Sequence, residues 1–211
     1  MSSEGSNQPH DSFDVELVAR TAREQMPPGT SFTEHDADVL RDYKDFLYSL
    51  GPLLLHKFYD TLYAYPPTAA IFKAGERAAR ERTLADWWER TVNGPLTDSY
   101  FNWMAMVGLV HVLRGVTNPM MLSMGDHVAE VVAQQADEQL SEADADRLNA
   151  SFGRLMSTVS AVIAHGYDVA TEAALFDVAG MPMALLHRLR DQEISQALVR
   201  VRGEIGPQIQ S

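Results

Sequence analysis

Residues 106–119 read MVGLVHVLRGVTNP, an apolar stretch in which His111 stands where a leucine would normally serve. A buried imidazole has to place its polar atoms, so the position calls for a backbone carbonyl or a metal as partner. On a helix, His111 shares its face with Met104, Val107, Gly108 and Gly115. Each glycine costs a helix roughly 1 kcal/mol relative to alanine. Two of them beside the histidine imply close approach to this backbone, either by a flat ligand or by a second helix.

Outward from this stretch the same helical spacing continues, while period-two alternation is nearly missing, which predicts an all-α protein. The spacing predicts a short helix over 13–25, ended by Pro27-Pro28-Gly29, and a helix over 34–48 capped by Ser31 or Thr33. Leu54, Leu55, Phe58, Tyr59, Leu62 and Tyr63 recur at three and four along the next helix, which Pro66-Pro67 stops. A helix over 78–92 carries Leu84, Trp87, Trp88 and Val92 and closes at Asn93-Gly94-Pro95. The His111 helix spans about 98–115. Pro119 sits in the first turn of its successor, where proline is tolerated. Ser141 caps a long helix running toward Ala174, and an amphipathic segment over 182–202 follows Gly180 and Pro182.

Composition narrows the function. A hydrophobic fraction of 45% over 211 residues suffices for one domain with a sizeable core. A formal charge of −12 without a Lys/Arg cluster argues against nucleic acid as partner. Cysteine is absent, which removes thiolate ligands, cysteine nucleophiles and disulfides together. The polar N-terminus and the lack of a long apolar run predict a cytoplasmic protein without a membrane span. No zinc-protease spacing and no glycine-rich phosphate loop occurs, so nothing suggests a hydrolase. His56, His127 and His165 read as packed or surface histidines, and His10 and His35 as exposed.

Together with FYDTLYAYPPTAAIF (58–72) and RTLADWWERTVNGP (82–95), the stretch VGLVHVLRGVTNPMM (107–121) resembles the protoglobins and the sensor domains of globin-coupled sensors. The shared features are an extra N-terminal helix, an aromatic-tyrosine pair in the second globin helix, a helix ending near a glycine before the His helix, and a [IV]-G-x-x-H core. The resemblance covers residues 13–175. It implies a globin-like fold of the protoglobin type, with residues 1–12 a disordered tail and 176–211 an additional C-terminal helical extension. It also implies haem b as cofactor and His111 as proximal ligand of its iron. Tyr59, beside Phe58, would be the distal tyrosine that donates to bound dioxygen, and Thr83 matches a distal threonine of some sensors. Leu84, Trp87 and Trp88 become distal-wall candidates, Val107 and Gly108 flank the histidine, and Arg114 becomes a candidate partner for a haem propionate. One departure is that many relatives carry an aromatic after the proline where this chain has Met120 and Met121.

The chemistry of the residue types agrees with these roles. A neutral imidazole is a good axial donor to iron, and an open sixth position leaves selection to the distal pocket. A tyrosine donor to dioxygen falls in the charge-assisted class of about 1.5 to 3 kcal/mol, or roughly ten- to a hundredfold in affinity. The expected function is a haem globin that reversibly binds a diatomic gas (O2, CO or NO) at a five-coordinate iron. As a gas or redox sensor it would pair as a homodimer through its last two globin helices. Residues 176–211 are too few for an output domain, so the expected output is a separate signalling protein. The competing expectations are a haem-free globin-like interaction module and a haem enzyme that detoxifies NO or peroxide.

Overall fold

The computed structural model describes residues 13–205, with side chains through Val201. The expected tail over 1–12 and the end of the 176–211 extension lie outside the described residues. Ten α-helices follow one another without a strand among the described residues: α1 Val15–Glu24, α2 Glu34–Asp42, α3 Lys44–Ser49, α4 Gly51–Ala64, α5 Pro66–Ala69, α6 Arg77–Asn93, α7 Asp98–Arg114, α8 Asn118–Gln139, α9 Glu142–Ala173 and α10 Met183–Ile205. A π-helical turn, Ala174–Val178, follows α9 directly. The chain forms two compact units that divide between Tyr167 and Asp168. The second unit holds the end of α9, the π-turn and α10, where His187 Nε2 lies 3.8 Å from Glu172 Oε1.

Local chemistry explains most boundaries. Asp14 caps α1 by accepting from the N–H groups of Glu16 and Leu17. Thr33 and Asp36 form a capping box at α2. The single helix expected over 34–48 is instead two, because the chain turns at Tyr43 (φ −103°, ψ 18°). The Tyr43 hydroxyl donates to Asp144 Oδ1 at 2.6 Å and Arg147 lies over its ring, tying the turn to the start of α9. Pro66 and Pro67 end α4 as expected and then occupy the first positions of the short α5. Ser141 caps α9 by accepting from Asp144 N at 3.3 Å.

In the first unit α7 lies between α1 and α9. Arg23 of α1 pairs with Asp98 at the start of α7 and covers the Phe101 ring at 4.6 Å. On the other side, a Cβ at Gly108 would stand 3.2 Å from the carbonyl oxygen of Ile163 in α9. The backbones of α7 and α9 therefore touch where the histidine helix passes. A second tie joins α9 to α2: the buried Asp36 accepts from Ser151 Oγ at 2.9 Å and from the guanidinium of Arg154. The side chain of Trp88 anchors α6, donating from Nε1 to the Leu47 carbonyl at 3.2 Å and meeting Phe152 edge-on.

Candidate functional site

Five helices of the first unit, α4, α6, α7, α8 and α9, enclose an apolar cavity of about 390 Å³. That volume falls in the range of small-molecule and cofactor sites. Phe58, Tyr59 and Leu62 of α4 form one wall, and Thr83, Leu84 and Trp87 of α6 another. Val107, Val110 and His111 come from α7. Met121, Met124 and Val128 of α8 and Met156, Val159 and Ile163 of α9 close the rest. The helical spacing that puts these residues on one face of each helix also turns those faces toward a common space, which side chains leave unfilled.

His111 belongs to the last turn of α7, which ends in a left-handed Gly115 (φ 75°) accepting the usual role of a helix-terminating glycine. The N–H of Val116 then bonds back to the His111 carbonyl at 3.0 Å. The imidazole Nδ1 is buried and has no hydrogen-bond partner. Burial, assisted by the nearby charge of Arg114, pushes the His111 pKa down to about 4. At neutral pH the ring is therefore uncharged and keeps a lone pair for donation. A neutral imidazole in the wall of an apolar cavity fits an axial-ligand role, and because Nδ1 is enclosed by protein the other ring nitrogen is the one such a ligand would engage.

Tyr59 packs with Phe58 at 5.4 Å, Phe72 at 6.1 Å and Tyr63 at 6.3 Å between ring centroids. Burial lifts its hydroxyl pKa to about 12, so the group remains a proton donor over the physiological range. Thr83 reaches the cavity, but its hydroxyl already donates to the Ala79 carbonyl at 3.1 Å within α6. Arg114 lines the cavity and is committed to Glu76, donating from Nη2 at 2.7 Å.

The structure thus brings together Phe58, Tyr59, Thr83, Leu84, Trp87, Val107, His111 and Arg114. Of the two adjacent tryptophans, Trp87 faces the cavity while Trp88 is spent on the packing of α6. Gly108 does not line the cavity, and its close neighbour is the Ile163 backbone. Of the two sources of close approach the sequence left open, the second helix accounts for Gly108, and Gly115 ends the helix. His56, 71% exposed, pairs with Asp60 at 3.1 Å, and His127 lies 3.5 Å from Thr61; neither reaches the cavity.

Sequence reading passed over Arg80, Phe72 and the α9 wall. The signal for Arg80 was present, since it precedes Thr83, Leu84 and Trp87 by three, four and seven residues and so shares their face. Nothing in the spacing of α9 separates its cavity-lining positions from its ordinary core positions. Among the described residues no group of three His, Cys, Asp or Glu side chains could hold a bare metal ion. A metal bound at His111 would need its remaining donors from a cofactor.

The all-α domain sets one imidazole in the wall of an apolar, cofactor-sized cavity, as a globin-like protein requires. The protoglobin family model matches residues 29–172, and the chain is a member of that family. No match was found among curated proteins. Membership implies haem as the cofactor and a diatomic gas as its ligand class. No helix among the described residues is long and apolar enough to cross a membrane.

Proposed function

We propose that this chain is a haem b globin that reversibly binds O2, CO or NO and acts as a gas or redox sensor. The observation that carries the reading is the neutral, buried imidazole of His111 in the wall of the 390 Å³ apolar cavity. When bound, the haem would supply an iron able to take up a diatomic gas. The chain's own residues divide the remaining work. His111 holds the metal from α7. Tyr59, kept protonated by burial, offers a hydrogen-bond donor that favours a gas taking on partial negative charge when held, as dioxygen does, over carbon monoxide, which takes on little. Phe58, Leu84, Trp87 and Val107 give the cavity apolar walls that would exclude water around the bound gas.

Signal transfer follows from where the histidine sits. The helix α7 touches both α1 and α9, so a shift of His111 is felt by α9 through the Gly108–Ile163 contact. In this reading α8 and α9 pair with a second copy, and residues 182–202 meet a separate signalling protein.

The test is an absorption spectrum of the purified protein supplied with haem, in ferric, ferrous and CO-equilibrated forms. The reading requires an intense Soret band that moves on addition of CO and that His111→Ala loses or shifts strongly. A protein that folds but takes up no haem, or a His111→Ala variant with an unchanged spectrum, overturns it.

A further inference from the structure

Methionine is a sparing choice for an apolar wall, because its flexible thioether chain specifies shape poorly. Six of the ten methionines nevertheless line this one cavity: Met104, Met106, Met120, Met121, Met124 and Met156. Cysteine is absent, so thioether is the only sulfur the chain carries. Access divides the six. Met104, Met121, Met124 and Met156 are buried, whereas Met106 is 44% exposed and Met120 is half-buried. Val110, one turn beyond Met106 on α7, is also both exposed and cavity-lining, so the cavity reaches solvent along this side of α7. Met106 and Met120 thus each present one surface to water and another to the cavity. Elsewhere Met26, Met181 and Met183 are half-buried like Met120 and do not line the cavity.

We propose that Met106 and Met120 are peroxide-modified residues, and that their conversion to sulfoxide loosens the hold of the cavity on a planar apolar ligand. This assignment rests on the cofactor reading above and gives its redox branch a cause in named side chains. In the reaction a sulfur lone pair attacks one peroxide oxygen. The O–O bond breaks as the S–O bond forms, and the other oxygen leaves as water with both protons. Sulfur is oxidised by one electron pair, and the peroxide is reduced by the same pair. The product carries a polar sulfinyl oxygen at the rim of an otherwise apolar wall. Burying that oxygen without a donor is unfavourable, and turning it out to water opens the rim. Either way apolar contact with the ligand is lost. The change is reversible, because sulfoxide reductases return the thioether.

The full-length protein is treated with hydrogen peroxide and then titrated with metal-free protoporphyrin IX, following quenching of tryptophan fluorescence. The probe carries no iron, so the outcome is independent of whether His111 ligates a metal. Peptide mass mapping follows the gain of an oxygen atom at each methionine, and circular dichroism checks the fold. Oxygen is expected at Met106 and Met120 ahead of the buried methionines. Porphyrin affinity is expected to fall about tenfold in step with those peptides, and to return after methionine sulfoxide reductases of both epimer specificities have acted. The Met106→Leu/Met120→Leu protein, compared with itself before and after peroxide, is expected to keep its affinity. The assignment is overturned if affinity holds while both residues are oxidised, or if the buried methionines are oxidised first. It is equally overturned if the loss tracks Met26, Met181 or Met183, accompanies unfolding, or is as large in the leucine protein, or if the untreated protein binds no porphyrin. The haem reading fails separately, on an unchanged spectrum of His111→Ala with porphyrin binding intact.

Discussion

At the scale of single residues, His111 and Tyr59 owe their chemistry to burial. Each is an ordinary titratable side chain whose charged form is disfavoured by apolar neighbours, which keeps the imidazole neutral and the phenol protonated. One becomes a lone-pair donor and the other a proton donor. Tyr59→Phe removes the donor while leaving the ring packing against Phe58 and Phe72 in place. The expected outcome is an oxygen dissociation rate raised roughly ten- to a hundredfold, with a much smaller change for CO, measured by stopped-flow displacement. Equal effects on both gases would assign Tyr59 a packing role only.

At the scale of helices, the histidine is positioned by how α7 meets its neighbours. Gly108 lets the α7 backbone reach Ile163, whose backbone atoms would lie 3.2 and 3.3 Å from an added Cβ. Backbone cannot rotate away as a side chain can, so Gly108→Ala must move a helix. The cost of overpacking, about 1 to 3 kcal/mol, exceeds the gain in helix propensity. A glycine with open surroundings provides the contrast, since a Cβ at Gly153 in the middle of α9 meets nothing within 4 Å. Urea titrations should show Gly153→Ala stabilised by up to about 1 kcal/mol and Gly108→Ala destabilised. The Gly108→Ala protein should also bind haem more weakly.

At the scale of the whole molecule, the tie between α2 and α9 gives stability a dependence on acid. Burial by itself would raise the pKa of Asp36, but hydrogen bonds from Arg154, Thr33 and Ser151 outweigh it and bring the value from 3.8 down to about 2. A carboxylate with a lower pKa in the folded state contributes stability that is complete above the unfolded value of 3.8. That contribution is lost as pH falls through about 2. It amounts to roughly 2 kcal/mol near neutrality. The Asp36→Asn variant should be less stable than wild type at pH 6, and the gap should narrow toward pH 2. Urea midpoints at the two pH values measure this, and a gap independent of pH would show that the carboxylate charge is not responsible.

The fold class and much of the site were legible because both follow from short-range periodicity. Apolar residues three and four apart define helices and their buried faces, and proline, glycine and capping residues mark where helices stop. His111, Tyr59, Leu84 and Trp87 stand on such faces, and their type points to ligation, donation or apolar contact. Periodicity does not say which of two neighbouring buried faces meets a cavity and which meets another helix. Trp87 and Trp88 are adjacent and equally apolar, yet only the first lines the cavity, because the second fits between the Leu47 carbonyl and Phe152. Gly108 beside a histidine reads equally as room for a ligand or for a helix until Ile163 is placed against it. The pairing of Arg114 with Glu76 joins α7 to the start of α6. Sequence by itself therefore determined an all-α globin with His111 and Tyr59 on inward faces. Only the tertiary structure decided which inward faces enclose empty space and that Arg114 is taken up by Glu76, since both depend on distances between helices far apart in the chain.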